Sequence, residues 1–297
     1  MAELYHYTTG AGLLGMLKDY DAEKNPNLTM WATHYAYMND PTEFEFGIEV
    51  CLPLIKEIEE EEKISAEDRI YPFLAKNHGE WGILEIKYPE YRGLVNPYII
   101  SFSQTKDSLH MWNMYGQNGN GLALCFDSEK LRQDRTLYLF DSCAYINSNE
   151  EKQSDAQKQE VKKKLRTLYY TLNSINLPTN NGGSNDSKDI TNSRVFFFSV
   201  LLFACVASFI KNNAYTDERE YRMLSYGKKK ENQFRERNGE IIPYTENVIP
   251  FDALTNIIVG PTRDFERTRN SILLLLGQKG ISWSPDKIIK SNVPYRG

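Results

Sequence analysis

Four groups of residues in this 297-residue chain have the types and spacing to do chemistry. His6-Tyr7-Thr8 lies in a run that reads as a strand, so His6 and Thr8 share one face and Tyr5 and Tyr7 the other. An imidazole beside a hydroxyl suits hydrogen bonding to ribose hydroxyls. The plainer alternative is a histidine satisfied within the fold. Tyr37-Met38-Asn39-Asp40-Pro41-Thr42-Glu43 reads as a turn, because the residue before proline avoids α. Local capping accounts for Asp40 and Glu43 and leaves Tyr37 and Asn39 as candidate binding residues. Ser101 and Ser103 share one face of a buried apolar strand, where each hydroxyl needs a partner such as a ligand amide or a catalytic carboxylate. Trp112 and Tyr115 lie three apart on a helix, so they form a core pair or a stacking surface for a planar ring.

The fourth group is Glu218-Arg219-Glu220-Tyr221-Arg222, read as a strand over 218–225. Glu218, Glu220 and Arg222 then point the same way, and Arg222 is placed to hold Glu220 ionised. A solvent-facing ladder of mixed charge is the plainer account. Against it, the strand directly follows the most apolar segment of the chain. That makes it central, and carboxylates on a central strand border a cleft.

Other chemistries lack their residues. There is no GxGxxG, Walker loop, HExxH or serine elbow. His6, His34, His78 and His110 form no pair at helical spacing, so no metal is expected. Asp217, Glu218 and Glu220 are the carboxylates a metal-dependent nuclease would use, without supporting ligand spacing. Cys51, Cys125, Cys143 and Cys205 form no CxxC and read as reduced and mostly buried. A net charge of -5 argues against a dedicated duplex-DNA binder but leaves room for a local nucleic-acid groove. Lysines 162–164 and 228–230 read as solvated charge. The apolar run 195–210 falls short of the roughly 20 residues that span hydrocarbon, so it is expected to be a buried helix. With no signal peptide, a cytoplasmic location is expected.

The elements that must position these groups make an α+β protein of mixed or antiparallel sheets with helices packed around them. Strands are expected at 4–8, 30–33, 96–103, 122–126, 137–146, 218–225, 241–244, 256–259 and 288–293. Helices are expected at 10–17, 42–56, 108–115, 150–164 and 267–276. The acidic run 57–63 reads as a solvated face. One domain over 1–297 is expected, with a flexible loop about 176–192.

In order, the chain carries LYHYT, MWAT, NDPTE, SFS, WNMYG, EREYR, IIVGP and PYR, from Leu4 to Arg296. This series resembles a bacterial family of unknown function, which is in turn distantly similar to the ADP-ribosyltransferase superfamily. The resemblance implies that fold and NAD as substrate, with no metal. It implies Glu220 as the catalytic carboxylate facing oxocarbenium character and Glu218 as the group that orients or deprotonates the acceptor. His6 and Thr8 would meet the ribose or nicotinamide side, and Ser101 and Ser103 would brace the pocket. Tyr7, Tyr37, Asn39, Trp112, Tyr115 and Arg222 complete the implied NAD-binding set. Phe102 replaces the middle residue of the superfamily's Ser-Thr-Ser motif, and a first-strand His with Glu-x-Glu mixes two subclasses. The implied role is transfer of ADP-ribose to a protein or nucleic-acid acceptor by a toxin or anti-phage effector, with an antitoxin partner and no membrane. The competing reading is a non-enzymatic module on a degenerate scaffold that binds a nucleotide or a partner.

Overall fold

A computed structural model describes residues 3–40, 42–66, 69–76, 97–132, 140–149, 152–174, 203–226, 233–237 and 239–295. His78, lysines 228–230, the 176–192 loop and the first half of the 195–210 run (195–202) lie outside them. The elements are β1 (Glu3–Thr8), α1 (Gly10–Met16), β2 (Asn27–His34), α2 (Glu43–Glu61), α3 (Tyr71–Lys76) and β3 (Pro97–Ser103). Then follow α4 (Leu109–Met114), β4 (Leu122–Asp127), α5 (Ser128–Arg132), β5 (Phe140–Ser142), β6 (Ala144–Ile146), α6 (Asp155–Ser174) and β7 (Ile210–Asn212). The chain closes with β8 (Glu220–Tyr226), β9 (Gln233–Arg237), β10 (Glu240–Pro250), β11 (Leu254–Val259), α7 (Phe265–Gln278) and β12 (Ile288–Lys290). The class is α+β as expected, with antiparallel pairing in the main sheet except where β12 joins β11.

Topology centres on β3. β8 runs along one edge of β3 for its whole length, from Pro97↔Tyr226 to Ser103↔Glu220. β1 and β2 must therefore share the other edge. β1 meets it at Tyr5↔Ser103 and β2 at Thr33↔Ile99 and His34↔Tyr98. The sheet splits between those contacts, and Ser101 stands at the split.

Alternation along β3 then sorts the two faces. Tyr98, Ile100 and Phe102 enter a core with Leu4, Leu124, Met223 and Ile257, covered by α1 and α7. Ile99 packs on the opposite face with Cys205, Phe209 and Leu224. A second core lies between α2, α6 and residues 203–210, where Ile48, Ile55, Val161, Phe203 and Ile210 are buried. α2 approaches residues 203–207 so closely that a Cβ on Gly47 would lie 2.2 Å from the Ala207 carbonyl oxygen. Burial on this scale is the main stabilising term. All four cysteines are buried and free, as their spacing predicts.

Several expected elements need correction. The strand expected over 218–225 starts at Glu220, because Asn213–Glu218 winds into a 3₁₀ helix and Arg219 is left-handed at φ 41°. The strand expected at 137–146 is, where described, two three-residue strands either side of Cys143. The acidic run is not a uniformly solvated face, since α2 continues through it to Glu61. Glu59 turns inward and accepts from the Ile70 and Tyr71 amides at 2.7 and 3.1 Å. Glu57 and Glu61 both pair with Lys162 at 2.8 Å, so Lys162 is buried rather than solvated.

Candidate functional site

Five charged side chains converge behind β3. The register pairs Ser103 with Glu220 and Ser101 with Arg222, so all four start on one face of the sheet. Arg222 is 1% exposed and grips Glu220 with both arms of its guanidinium, Nε to Oε1 at 2.9 Å and Nη2 to Oε2 at 2.8 Å. Its Nη1 donates to the Ser208 carbonyl at 2.5 Å. Lys211, on β7, donates to Glu220 Oε2 at 2.7 Å and to Glu218. Glu43, in the first turn of α2, pairs with Arg222 and lies 3.5 Å from Lys211. The hydroxyl of Tyr115 donates to Glu218 Oε1 at 2.8 Å.

Local structure explains the convergence. The left-handed Arg219 reverses the chain, so Glu218 comes beside Glu220 although it precedes the strand. Ser103 fastens that turn, donating from its hydroxyl to the Glu218 carbonyl at 2.7 Å. The Glu220 amide donates to the Tyr145 hydroxyl at 2.7 Å, which ties β8 to β6. Tyr215 covers the cluster, with its ring 5.1 Å from Lys211 Nζ. Asp40 in the Asn-Asp-Pro turn raises the Tyr215 hydroxyl above its usual range.

The electrostatics favour charge separation held by pairing. Burial pushes the Glu220 carboxyl up, but Arg222 and Lys211 outweigh burial and hold it at about 2. Burial raises Glu43 above the usual carboxylate range, with the negative Glu220 adding to the rise against Arg222 and Lys211. Burial opposes the charge on Lys211, yet Glu220 and Glu43 hold it above its ordinary value. The Tyr115 hydroxyl is raised by burial and by Glu218. The carboxylate oxygens a metal would bind are engaged by two cations and a tyrosine. The arrangement instead holds Glu220 ionised between two cations, with Glu218 beside it on a tyrosine tether.

His6 and Thr8 stand elsewhere. Because Tyr5 pairs with Ser103, β1 presents Tyr5 and Tyr7 to the carboxylate face and His6 and Thr8 to the opposite face. His6 packs edge-on to Phe102 at 5.8 Å. Its Nδ1 lies 2.9 Å from the Ser101 carbonyl, so the Nδ1 proton occupies the split where a strand amide would otherwise donate. Burial lowers the His6 pKa, so the ring is neutral with Nε2 bare. The expected single pocket of His6, Ser103 and Glu220 is thus divided by β3.

The remaining expected residues separate in the same way. Tyr7 braces the loop before α4, donating to the Thr105 carbonyl and accepting from the Ser108 amide, both at 3.0 Å. Trp112 is fully buried, donates to Asp107 at 2.8 Å and packs edge-on to Tyr7, so it is a core residue without an open face for a ligand ring. Tyr37 ends a 3₁₀ turn and its carbonyl accepts from Arg237 at 2.9 Å. Asn39 is exposed. The Ser101 hydroxyl is shielded from solvent and has no hydrogen-bond partner among the described residues.

Lys211, Tyr145 and the buried role of Glu43 were not read from the sequence. A lone lysine at the end of a long apolar run was the available signal for Lys211.

A family model described as a protein of unknown function (DUF2971) matches residues 111–223. The matched stretch takes in Tyr115, Tyr145, Lys211, Glu218, Glu220 and Arg222, and stops short of β1, β2, Glu43 and the two serines. No curated protein and no solved structure matches the chain.

Proposed function

We propose that this protein is an NAD-dependent ADP-ribosyltransferase that modifies a protein or nucleic-acid acceptor. The observation that carries the reading is Glu220, held ionised by Arg222 and Lys211 beside Glu218 on a strand braced by Ser103. In the reaction the C1′–N bond of the nicotinamide ribose breaks and its electron pair leaves with neutral nicotinamide. Positive charge develops on the ribose ring, and Glu220 stabilises it without a metal. Glu218 takes the acceptor's proton as the new bond to C1′ forms. Tyr115 and Lys211 yield their bonds to Glu218 when substrate enters. His6 and Thr8 lie on the opposite face of β3, so the nicotinamide ribose falls to Glu220 and Glu218 without them. A toxin or anti-phage role, with an antitoxin partner, extends this reading by the sequence resemblance alone.

A second reading has its own support. Glu43, Glu218 and Glu220 are all buried and paired, as in an ion network that only fixes the fold of a binding module. Incubation with labelled NAD and cell lysate separates the two. Label transferred by the wild type and by a folded Tyr115→Phe variant, but not by Glu220→Gln, supports the transferase. No transfer, and no thermal stabilisation by NAD, leaves the binding module.

A further inference from the structure

A groove between α1 and α7 stands apart from the carboxylate cluster. It encloses about 530 Å³, within the range of small-molecule sites. Its floor is Leu122, which pairs with Thr8, so the groove opens on the His6–Thr8 face of the sheet. Leu13 and Leu14 of α1 form one wall, and Ile272 and Leu275 of α7 the other. Leu14 is 56% exposed, so its side chain is accessible along that wall.

The far end is cationic. Arg263 donates from Nε to the Asn120 carbonyl, which fixes its guanidinium at the groove's end. Arg267 is exposed in the first turn of α7. Neither arginine has an ion-pair partner among the described residues. The nearby Asp264 carboxylate is engaged as the helix cap, accepting from the Arg267 amide at 3.1 Å. Thr268 and Ser271 add hydroxyls along the same wall. Guanidinium forks at one end and two facing aliphatic walls at the other match a phosphate joined to a flat, weakly polar ring.

We propose that this groove is a nucleoside-phosphate site, with the phosphate on Arg263 and Arg267 and the base between Leu14 and Leu275. The site does not depend on Glu220 cleaving NAD. Titration calorimetry of the full chain with AMP, ribose 5-phosphate and inorganic phosphate tests it. AMP should bind at least tenfold more tightly than inorganic phosphate. Arg267→Met, on the surface and away from the core, should weaken AMP about tenfold. Leu14→Asp should weaken AMP while leaving inorganic phosphate unchanged. Glu220→Gln should leave AMP binding intact. Absent AMP binding, equal affinity for AMP and inorganic phosphate, or indifference to Arg267→Met overturns the site. AMP binding lost in folded Glu220→Gln also overturns it, because that places the nucleotide at the carboxylates. If NAD is not turned over yet AMP binds as described, the transferase reading fails and the groove stands.

Discussion

Replacing Glu220 by Gln should change the acid sensitivity of folding by a calculable amount. The Glu220 carboxyl sits at about 2 in the folded chain against an ordinary 4.5. A depressed carboxylate contributes stability that is complete above its unfolded value and is lost as pH falls toward its folded one. The contribution is therefore about 3 kcal/mol at pH 7 and about 1 kcal/mol at pH 3. Glu220→Gln keeps the shape but removes the charge, leaving Arg222 and Lys211 short of a counter-charge. Urea unfolding of both proteins at pH 7, 5, 4 and 3 measures the gap. Burial lowers His6 and His34 in both proteins, so their acid penalty cancels in the difference. Glu43, raised in part by the negative Glu220, is relieved in the variant and trims the gap at neutral pH. The gap should be widest at pH 7 and narrow by about 2 kcal/mol at pH 3, most of it below pH 4.5. A gap that stays constant across this range would refute the claim that Glu220 is held ionised by its two cations.

The remaining predictions concern the surrounding elements. Lys211→Met should destabilise by about 3–5 kcal/mol, because it strands buried carboxylates, and a thermal melt will show it. Tyr115→Phe removes one hydrogen bond to a charged partner and should cost about 2 kcal/mol in urea unfolding without disturbing the far-ultraviolet spectrum. Gly47→Ala should cost about 1–3 kcal/mol, read from the thermal midpoint, because its new methyl meets the Ala207 carbonyl. Trp112→Phe should lower stability but leave NAD affinity unchanged, since Trp112 is enclosed in the core.

Local period and spacing made much of this structure legible. The strands carrying Ser101, Ser103, Glu220 and Arg222 follow from apolar runs and alternation, and Arg222 does pair with Glu220. What alternation alone cannot supply is the register between strands. One long-range pairing, Tyr5 with Ser103, sends His6 to the face opposite Glu220. Trp112 and Tyr115 share helical spacing, yet α4 ends at Met114 and Tyr115 turns out of it to reach Glu218. Glu43 satisfies every rule for a first-turn helical acid, and only the arrival of β8 beside α2 makes it a partner of Arg222. Lys211 comes from a three-residue strand too short to show a period of its own.

Nicotinamide release from NAD, followed for the wild type and for Glu220→Gln at equal folded fraction and neutral pH, tests the central proposal most directly. Release by the wild type is expected, with a fall of a hundredfold or more in the variant, on the order of losing one transition-state charge contact. Equal release from both proteins, or none from the wild type with lysate present, would contradict it.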